Sequence, residues 1–533
     1  MSTQPGTNCH LKHQQTDPPG ADEMPSSPEE ILQNNDFFDT SHLKADLKGR
    51  FVRGSAITML GQASRFVIQT ASTVVLARLL SPKDYGLVAM VTAVTGFMMI
   101  FKDLGLSTAT VQKAQTNHQQ ISTLFWINVA ISTIAMLVTA ALAPALAWFY
   151  NEPRLTWIGL ALSTSFLFVG LSVQHQALLR RQMRFTAIVT RDIASMLIGV
   201  VLAIVLAWRG AVYWSLVAMQ VGTAISGTIM LWLVCKWRPG LPVRRSGVRS
   251  MLHFGLNITG FQIVNYFARN ADKVLLGRFY GSYVTGLYSR AYSLFMLPIS
   301  QIRAPLIAVA IPALSHLQNE ATRYARYYYK LSSFIAFVTM PLAGFLFVCS
   351  ESIIRLLLGE KWMDANIIFK ILAVAAFIQA VENTRGLTLI SLGLSKKYLK
   401  VGIFTSAFFV LAFAVGVRWG ARGVALSYVI SEYLIMIPSL WYSFRKTPVS
   451  VLGFFKVILR PAVTSLASTA IMFLAYKFLL ANQPDFVTVG ACLTLGTASY
   501  FAIWCLMPGG IQTILEFFSY VSLLRGKNAV NQQ

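Results

Sequence analysis

The sequence predicts an all-α polytopic membrane protein, built as two parallel six-helix lobes plus two C-terminal helices, with about fourteen transmembrane helices in all. Three observations predict it. Of 533 residues, 55% are hydrophobic and only 12% charged, and the mean hydropathy is +0.57, far from the roughly 25% charged residues of an ordinary soluble domain. Apolar stretches long enough to cross a hydrocarbon core about 30 Å thick recur almost to the end of the chain. The chain also matches itself at an offset of 200 residues.

A formal net charge of +24 would suggest nucleic acid in a soluble chain. Here the cations fall in short clusters between apolar runs, the pattern of cytoplasmic loops facing anionic lipid, so no nucleic-acid partner is expected. Five cysteines, Cys9, Cys235, Cys349, Cys492 and Cys505, lack CxxC spacing, and four lie in apolar runs as small core residues. No cluster has metal-ligand spacing, and neither a GxxxxGK[ST] loop nor a GxSxG elbow occurs. The chain is therefore expected to be no enzyme and to need no cofactor or metal.

Taken in order, residues 1–43 are polar and rich in Pro, Gln and Asn, without an apolar core segment, and read as a disordered cytoplasmic tail. Lys44, Lys48, Arg50 and Arg53 then precede the first apolar run and keep the N-terminus inside. Spans are expected near 52–77, 85–110, 121–149, 155–179, 186–208, 211–235, 251–277, 286–312, 326–350, 365–391, 398–418, 421–443, 452–480 and 486–507. Alternate loops are basic, as at Arg180, Arg181 and Arg184 or Lys396, Lys397 and Lys400, while those between are short and cation-poor. Both termini come out cytoplasmic. The domains are then the tail 1–43, a first lobe 44–240 with helices one to six, and a second lobe 241–445 with helices seven to twelve. Appended helices thirteen and fourteen fill 446–510, and an amphipathic cytoplasmic tail fills 511–533.

At the offset of 200, Gln62 meets Gln262, Ala71 meets Ala271, Val74 meets Val274, Arg78 meets Arg278, and Gly86-Leu87 meets Gly286-Leu287. Six helices between matched elements means both copies enter the membrane from the same side, so the repeats are parallel. Such transporters carry substrate between the lobes, and the first helix of each lobe is a natural wall.

Both walls carry a polar stripe. Gln62, Arg65 and Gln69 on the first helix, and Gln262, Asn265, Arg269 and Lys273 on the seventh, are spaced three and four apart and so share a helix face. Lipid does not tolerate such a face, but a hydrated cavity does. The bland alternative is interhelical hydrogen bonding or snorkelling, which is preferred for Lys273, Arg78 and Arg278 near helix ends. Arg269 lies nine residues before Arg278, about 14 Å deeper at 1.5 Å per residue, where snorkelling becomes difficult. On the eighth helix, Arg290 is one turn inside Gly286, and Arg303, between Pro298 and Pro305, is either a cavity cation or a structural arginine. Glu382 and Arg385 are expected to neutralise each other, and Asp272 to pair with Arg269 or Lys273; an ion-coupling role for Asp272 or Glu382 is the sharper alternative. The run Tyr324, Tyr327, Tyr328, Tyr329 reads most simply as an interfacial anchor.

Two motifs carry a family resemblance: Ala77-Arg78-Leu79-Leu80-Ser81-Pro82-Lys83-Asp84-Tyr85-Gly86 and Phe101-Lys102-Asp103-Leu104-Gly105-Leu106-Ser107. From about Gly49 to the last helix the chain resembles Wzx-type polysaccharide flippases of the MOP superfamily, in the capsule, exopolysaccharide or O-antigen branches. The resemblance implies a lipid-linked oligosaccharide, usually on undecaprenyl diphosphate, turned from the inner to the outer leaflet of the bacterial cytoplasmic membrane by alternating access. It also implies membrane lipids as partners, with a polysaccharide polymerase and co-polymerase as protein neighbours. Arginines suit a diphosphate through bidentate hydrogen bonds, so Arg65, Arg269, Arg290 and Arg303 are the expected cationic contacts, with Gln62, Gln69, Gln262 and Asn265 beside them.

Two other readings stay open. A MATE-like cation-coupled drug antiporter would share the fold, but its pocket should be dominated by carboxylates and aromatics, whereas the deep charges here are mostly arginine. A membrane-embedded polysaccharide polymerase or ligase should present a large outer loop, and every expected outer loop is short.

Overall fold

The computed structural model describes the backbone of residues 47–101, 106–112, 116–243, 249–513 and 515, and their side chains except for 47–53, 55, 100–101, 108–109, 112, 249–265 and 267–268. The tail 1–43, Lys44, the Lys102-Asp103 pair and nearly all of the C-terminal tail lie outside the described residues. The described residues are helical nearly throughout. In order come α1 (Leu47–Leu79), α2 (Pro82–Thr95), α3 (Met98–Phe101), α4 (Leu106–Gln112), α5 (His118–Tyr150), α6 (Arg154–Arg181), α7 (Phe185–Trp208), α8 (Trp214–Val234) and the long α9 (Arg249–His316). Then follow α10 (Ala321–Val348), α11 (Ser350–Leu357), α12 (Ala365–Glu382), α13 (Arg385–Ser391), α14 (Ser395–Gly416), α15 (Gly420–Phe444), α16 (Val451–Phe478) and α17 (Asp485–Leu506).

Among the described residues, ten helical stretches are long and apolar enough to cross a membrane, one of them spanning both α14 and α15. Separating those two, and adding α1, the α2–α4 run and the first arm of α9, gives fourteen crossings. The chain is a multi-pass, all-α membrane protein.

Local sequence explains several boundaries. The Ser81-Pro82 step turns the chain between α1 and α2: Asp84 accepts the Ser81 backbone N–H at 2.9 Å while Pro82 takes the first helical position. Asn117 caps α5 by accepting the Gln120 N–H at 2.9 Å, and Asn151 ends that helix in the left-handed region at φ 53°. Between the seventh and eighth crossings, where the hydropathy pattern suggests a gap from 277 to 286, one residue makes the break. Gly281 alone leaves helical geometry, at φ 75° and ψ −171°, and α9 becomes two arms.

The tyrosine run is a correction to the sequence reading. Tyr324 and Tyr328 are fully buried, not interfacial, and their hydroxyls reach Ser391 Oγ at 2.7 Å and Thr384 Oγ1 at 2.8 Å. Their spacing of four residues puts both on the core face of α10, where the α12–α13 junction supplies the partners that buried phenols require.

The lobes meet at one end of the molecule through a reciprocal contact. A Cβ added at Gly86 would stand 1.7 Å from the Ser282 carbonyl oxygen, and one added at Gly286 would stand 1.8 Å from that of Pro82. Residues 82 and 86 differ from 282 and 286 by the repeat offset, so the contact is self-complementary about a two-fold axis relating the lobes. Only glycine lets α2 and the second arm of α9 approach so closely. Around this clasp, Trp362 is fully buried, packs edge-on to Tyr85 at 5.3 Å and donates its indole N–H to Ala77 O at 2.9 Å. Arg78 Nη2 bonds Leu356 O at 2.9 Å. Replacing Trp362 by alanine should lower the thermal unfolding midpoint of purified protein clearly, because a large buried aromatic costs about 3–5 kcal/mol to remove; Trp362→Phe should recover most of that loss.

Candidate functional site

Between the clasp and the opposite end, α1 and both arms of α9 enclose a cavity of about 830 Å³. Its closure away from the clasp includes a Gln62 Nε2 to Gln301 Oε1 hydrogen bond of 2.8 Å. Gln62 lies fifteen residues before Ala77, so about 22 Å of helix separates that neutral bond from the clasp. The described contact at that end is between side chains; the clasp is backbone against backbone.

The cavity wall has two characters. Arg269, Lys273 and Arg290 face it together with Gln69, Asn270 and Tyr292, and no carboxylate is among its described lining residues. None of the three cations takes part in an ion pair among the described residues. Lys273 Nζ sits 3.4 Å from Asn270 Oδ1 and 5.7 Å from the centre of the Tyr292 ring. Arg290 stacks on Tyr85, its guanidinium carbon 3.8 Å from the ring centre. Leu342, Phe345 and Leu346 of α10, Ile353 and Leu356 of α11, and Val489 of α17 contribute apolar side chains to the lining. Helix spacing makes the cationic side: Tyr266, Asn270 and Lys273 follow one another by four and three residues, and Arg269 adjoins them.

A second, smaller cavity of about 130 Å³ lies within the second lobe and shares Arg269 and Tyr292 with the first. Arg303, Asp272, Glu382, Arg385, Tyr428 and Glu432 also line it. Glu382 and Arg385 form a close ion pair, and Glu382 accepts a further hydrogen bond from Ser439 Oγ at 3.0 Å. Glu382 is 2% exposed, so Glu382→Ala would break a buried ion pair and leave Arg385 to Glu432, which lines the same cavity but makes no described ion pair with it. That should cost about 3 kcal/mol or more, read as a lowered unfolding midpoint, with the double variant Glu382→Ala, Arg385→Ala recovering much of it.

The sequence-predicted residues divide as follows. Arg269, Arg290 and Gln69 line the large cavity, Gln62 bonds at its far end, and Arg303 lies in the small one. Gln262 and Asn265 sit on the first arm of α9, but their side chains lie outside those described. Arg65 is held inside the first lobe: its Nη1 pairs with Asp192 at 3.1 Å, and Arg191 shares that carboxylate at 2.9 Å. Two expectations are corrected. Lys273 is a cavity residue and not an interfacial anchor, because it faces the gap between lobes where polar groups are tolerated short of the helix end. Asp272 forms no described ion pair with Arg269 or Lys273; it is 3% exposed and accepts the Lys273 backbone N–H at 2.7 Å, because consecutive residues point to different helix faces. Tyr266, Asn270 and Gln301 were missed by sequence reasoning; the three- and four-residue spacing around Arg269 was the available signal for the first two.

An amphipathic, cation-lined chamber between two repeats of a polytopic fold defines a membrane transporter. A family model described as "Polysaccharide biosynthesis protein" matches residues 75–367, more than half of the chain, and the chain belongs to that family. It is 26% identical over 384 residues to the lipopolysaccharide biosynthesis protein WzxC of Escherichia coli (strain K12), covering 70% of this chain and 78% of the relative. It is 24% identical to the succinoglycan biosynthesis transport protein ExoT of Rhizobium meliloti (strain 1021), covering 88% and 93%. Among solved structures, the lipid II flippase MurJ in an inward closed conformation superposes with a TM-score of 0.69 at 14% identity, over 85% of this chain and 97% of that one.

Proposed function

We propose that the chain is a flippase that moves a lipid-linked oligosaccharide, carried on undecaprenyl diphosphate, from the inner to the outer leaflet of the bacterial cytoplasmic membrane. The repeat unit would feed exopolysaccharide, capsule or lipopolysaccharide synthesis, with a polymerase and co-polymerase next in line. The observation that carries this reading is the large cavity: Arg269, Lys273 and Arg290, no carboxylate among its described lining residues, and apolar side chains from α10, α11 and α17. A diphosphate needs a wet, cationic path, and guanidinium forks match phosphate geometry. The prenyl chain needs hydrocarbon, and the face made by α10, α11 and α17 offers it. A cation-binding antiporter pocket would be built with the opposite charge.

In this reading the domain boundaries are those of the sequence analysis, both termini are cytoplasmic, and the clasp closes the outer end. Arg303 supports Arg269 from the smaller cavity, and Arg65 joins the path only when Asp192 releases it. Asp272 and Glu382 remain the candidates for ion coupling. Moving each negative charge outward from an inside-negative cell is favoured by about 2.3 kcal/mol per 100 mV, so the membrane potential alone can supply direction. Proteoliposomes given a polyprenyl-diphosphate oligosaccharide test both points. Protein-dependent flipping is expected, with its direction lost when the potential is clamped at zero. Absence of flipping would remove the proposal, and undiminished directional transport at zero potential would remove the potential as its drive.

A further inference from the structure

A separate chamber of about 500 Å³ opens inside the first lobe, between α1, α6, α7 and α8. Gln69, Thr73 and Arg290 line both this chamber and the large cavity, so the two adjoin at that partition. Both have largely apolar walls and both include Arg290; the chamber lacks Arg269 and Lys273 and adds hydroxyls, the Gln220 amide and Arg191, with no carboxylate among its described lining residues. Its own deep cation, Arg191, shares the single carboxylate of Asp192 with Arg65, at 2.9 and 3.1 Å, so that cluster keeps one positive charge, and Arg191 donates its Nε–H to Gly227 O at 2.9 Å.

The hydroxyls have a defined polarity. Ser72 donates to Gln69 O at 2.9 Å, Ser165 to Leu162 O at 2.6 Å, Ser195 to Asp192 O at 3.2 Å, and Thr223 to Met219 O at 2.6 Å. Each gives its one proton to its own helix, so what it can offer the chamber is lone pairs. The side-chain amides of Gln69 and Gln220 carry both donors and acceptors, and no described hydrogen bond engages either. A phosphate, which only accepts, could be met by Arg290, Arg191 and the two amides but not by these four hydroxyls. A polyol, whose hydroxyls donate as well as accept, would find partners for both.

We propose that this first-lobe chamber is the glycan subsite: it takes the sugars nearest the diphosphate, while Arg269, Lys273 and Arg290 hold the diphosphate next door. The inference rests on the flippase reading and adds to it the residues that read the sugar, Gln220 and Thr223 foremost, since both line the chamber and not the large cavity. Arg290, at the partition, sits at the junction of phosphate and first sugar. A volume of 500 Å³ lies within the range of pockets that bind small polar ligands.

The test uses the full chain in lipid nanodiscs and four probes: undecaprenyl diphosphate, and the same lipid carrying a single glucose, galactose or N-acetylglucosamine. The wild-type chain is expected to bind at least one glycolipid more tightly than the bare diphosphate, by about tenfold. Gln220→Leu should remove that preference and leave the dissociation constant of the bare lipid unchanged; Thr223→Val, a near-isosteric change, should reduce the preference in the same sense. Equal binding of all four lipids by wild type, variants that retain the preference, or variants that weaken all four lipids alike would overturn the subsite. Failure of wild type to bind even the bare diphosphate would instead overturn the reading on which it rests.

Discussion

Arg269→Ala is expected to slow flipping by about ten- to a hundredfold while leaving the chain inserted and folded. A hydrogen bond to a charged group is worth roughly 1.5–3 kcal/mol, and each 1.4 kcal/mol is tenfold. Arg269 is half of this account, because it lines both the large cavity and the smaller one behind it and has no described carboxylate partner to lose. Removing it breaks no ion pair among the described residues, and the chain should remain folded. Arg269→Lys should fall between wild type and alanine, since an ammonium keeps the charge without the planar fork. Arg278→Ala is the control: that guanidinium lies 5.6 Å from the centre of the Phe149 ring, outside the cavity lining, and transport should persist. Flipping rates in proteoliposomes, with reconstitution normalised by size-exclusion chromatography, check all three.

Gly86→Val should abolish transport by a different route. The added Cβ would meet the Ser282 carbonyl oxygen at 1.7 Å, and backbone cannot rotate away as a side chain can. The helices must separate, and the closure they form is lost. Spin labels at the exposed Lys83 and Tyr283, on either side of the clasp, should report a longer and broader distance distribution in the variant. Gly286→Val should give the same result, because the contact is reciprocal, at 1.8 Å from Pro82 O. An unchanged distance in both would separate the clasp from the conformational cycle.

Much of this molecule was readable before any coordinates. Hydropathy with the alternation of basic loops led to fourteen crossings, although α1, the α2–α4 run and the first arm of α9 are less apolar than the other spans. The offset of 200 residues was visible because the clasp constrains Gly86 and Gly286 on both copies alike. What stayed hidden depends on depth or on distant partners. Hydropathy marks a gap from 277 to 286, but not that Gly281 alone makes the break and that helix continues on both sides of it. Tyr324 and Tyr328 have the composition of an interfacial belt, and only the packing of α10 against the α12–α13 junction buries them. Lys273 looked like an anchor because depth was counted along the helix, whereas the cavity extends to that depth. The capture of Arg65 by Asp192 joins α1 to α7, a contact that no local spacing encodes.

The most direct test of the central claim, an anionic lipid in the cavity between the lobes, is equilibrium binding to the nanodisc-embedded chain. Undecaprenyl diphosphate should bind saturably, weaken by at least tenfold in Arg269→Gln combined with Arg290→Gln, and be left uncompeted by a lipophilic cation such as tetraphenylphosphonium. Saturable binding of the cation, with the diphosphate lipid bound no better by wild type than by the double variant, would contradict the account.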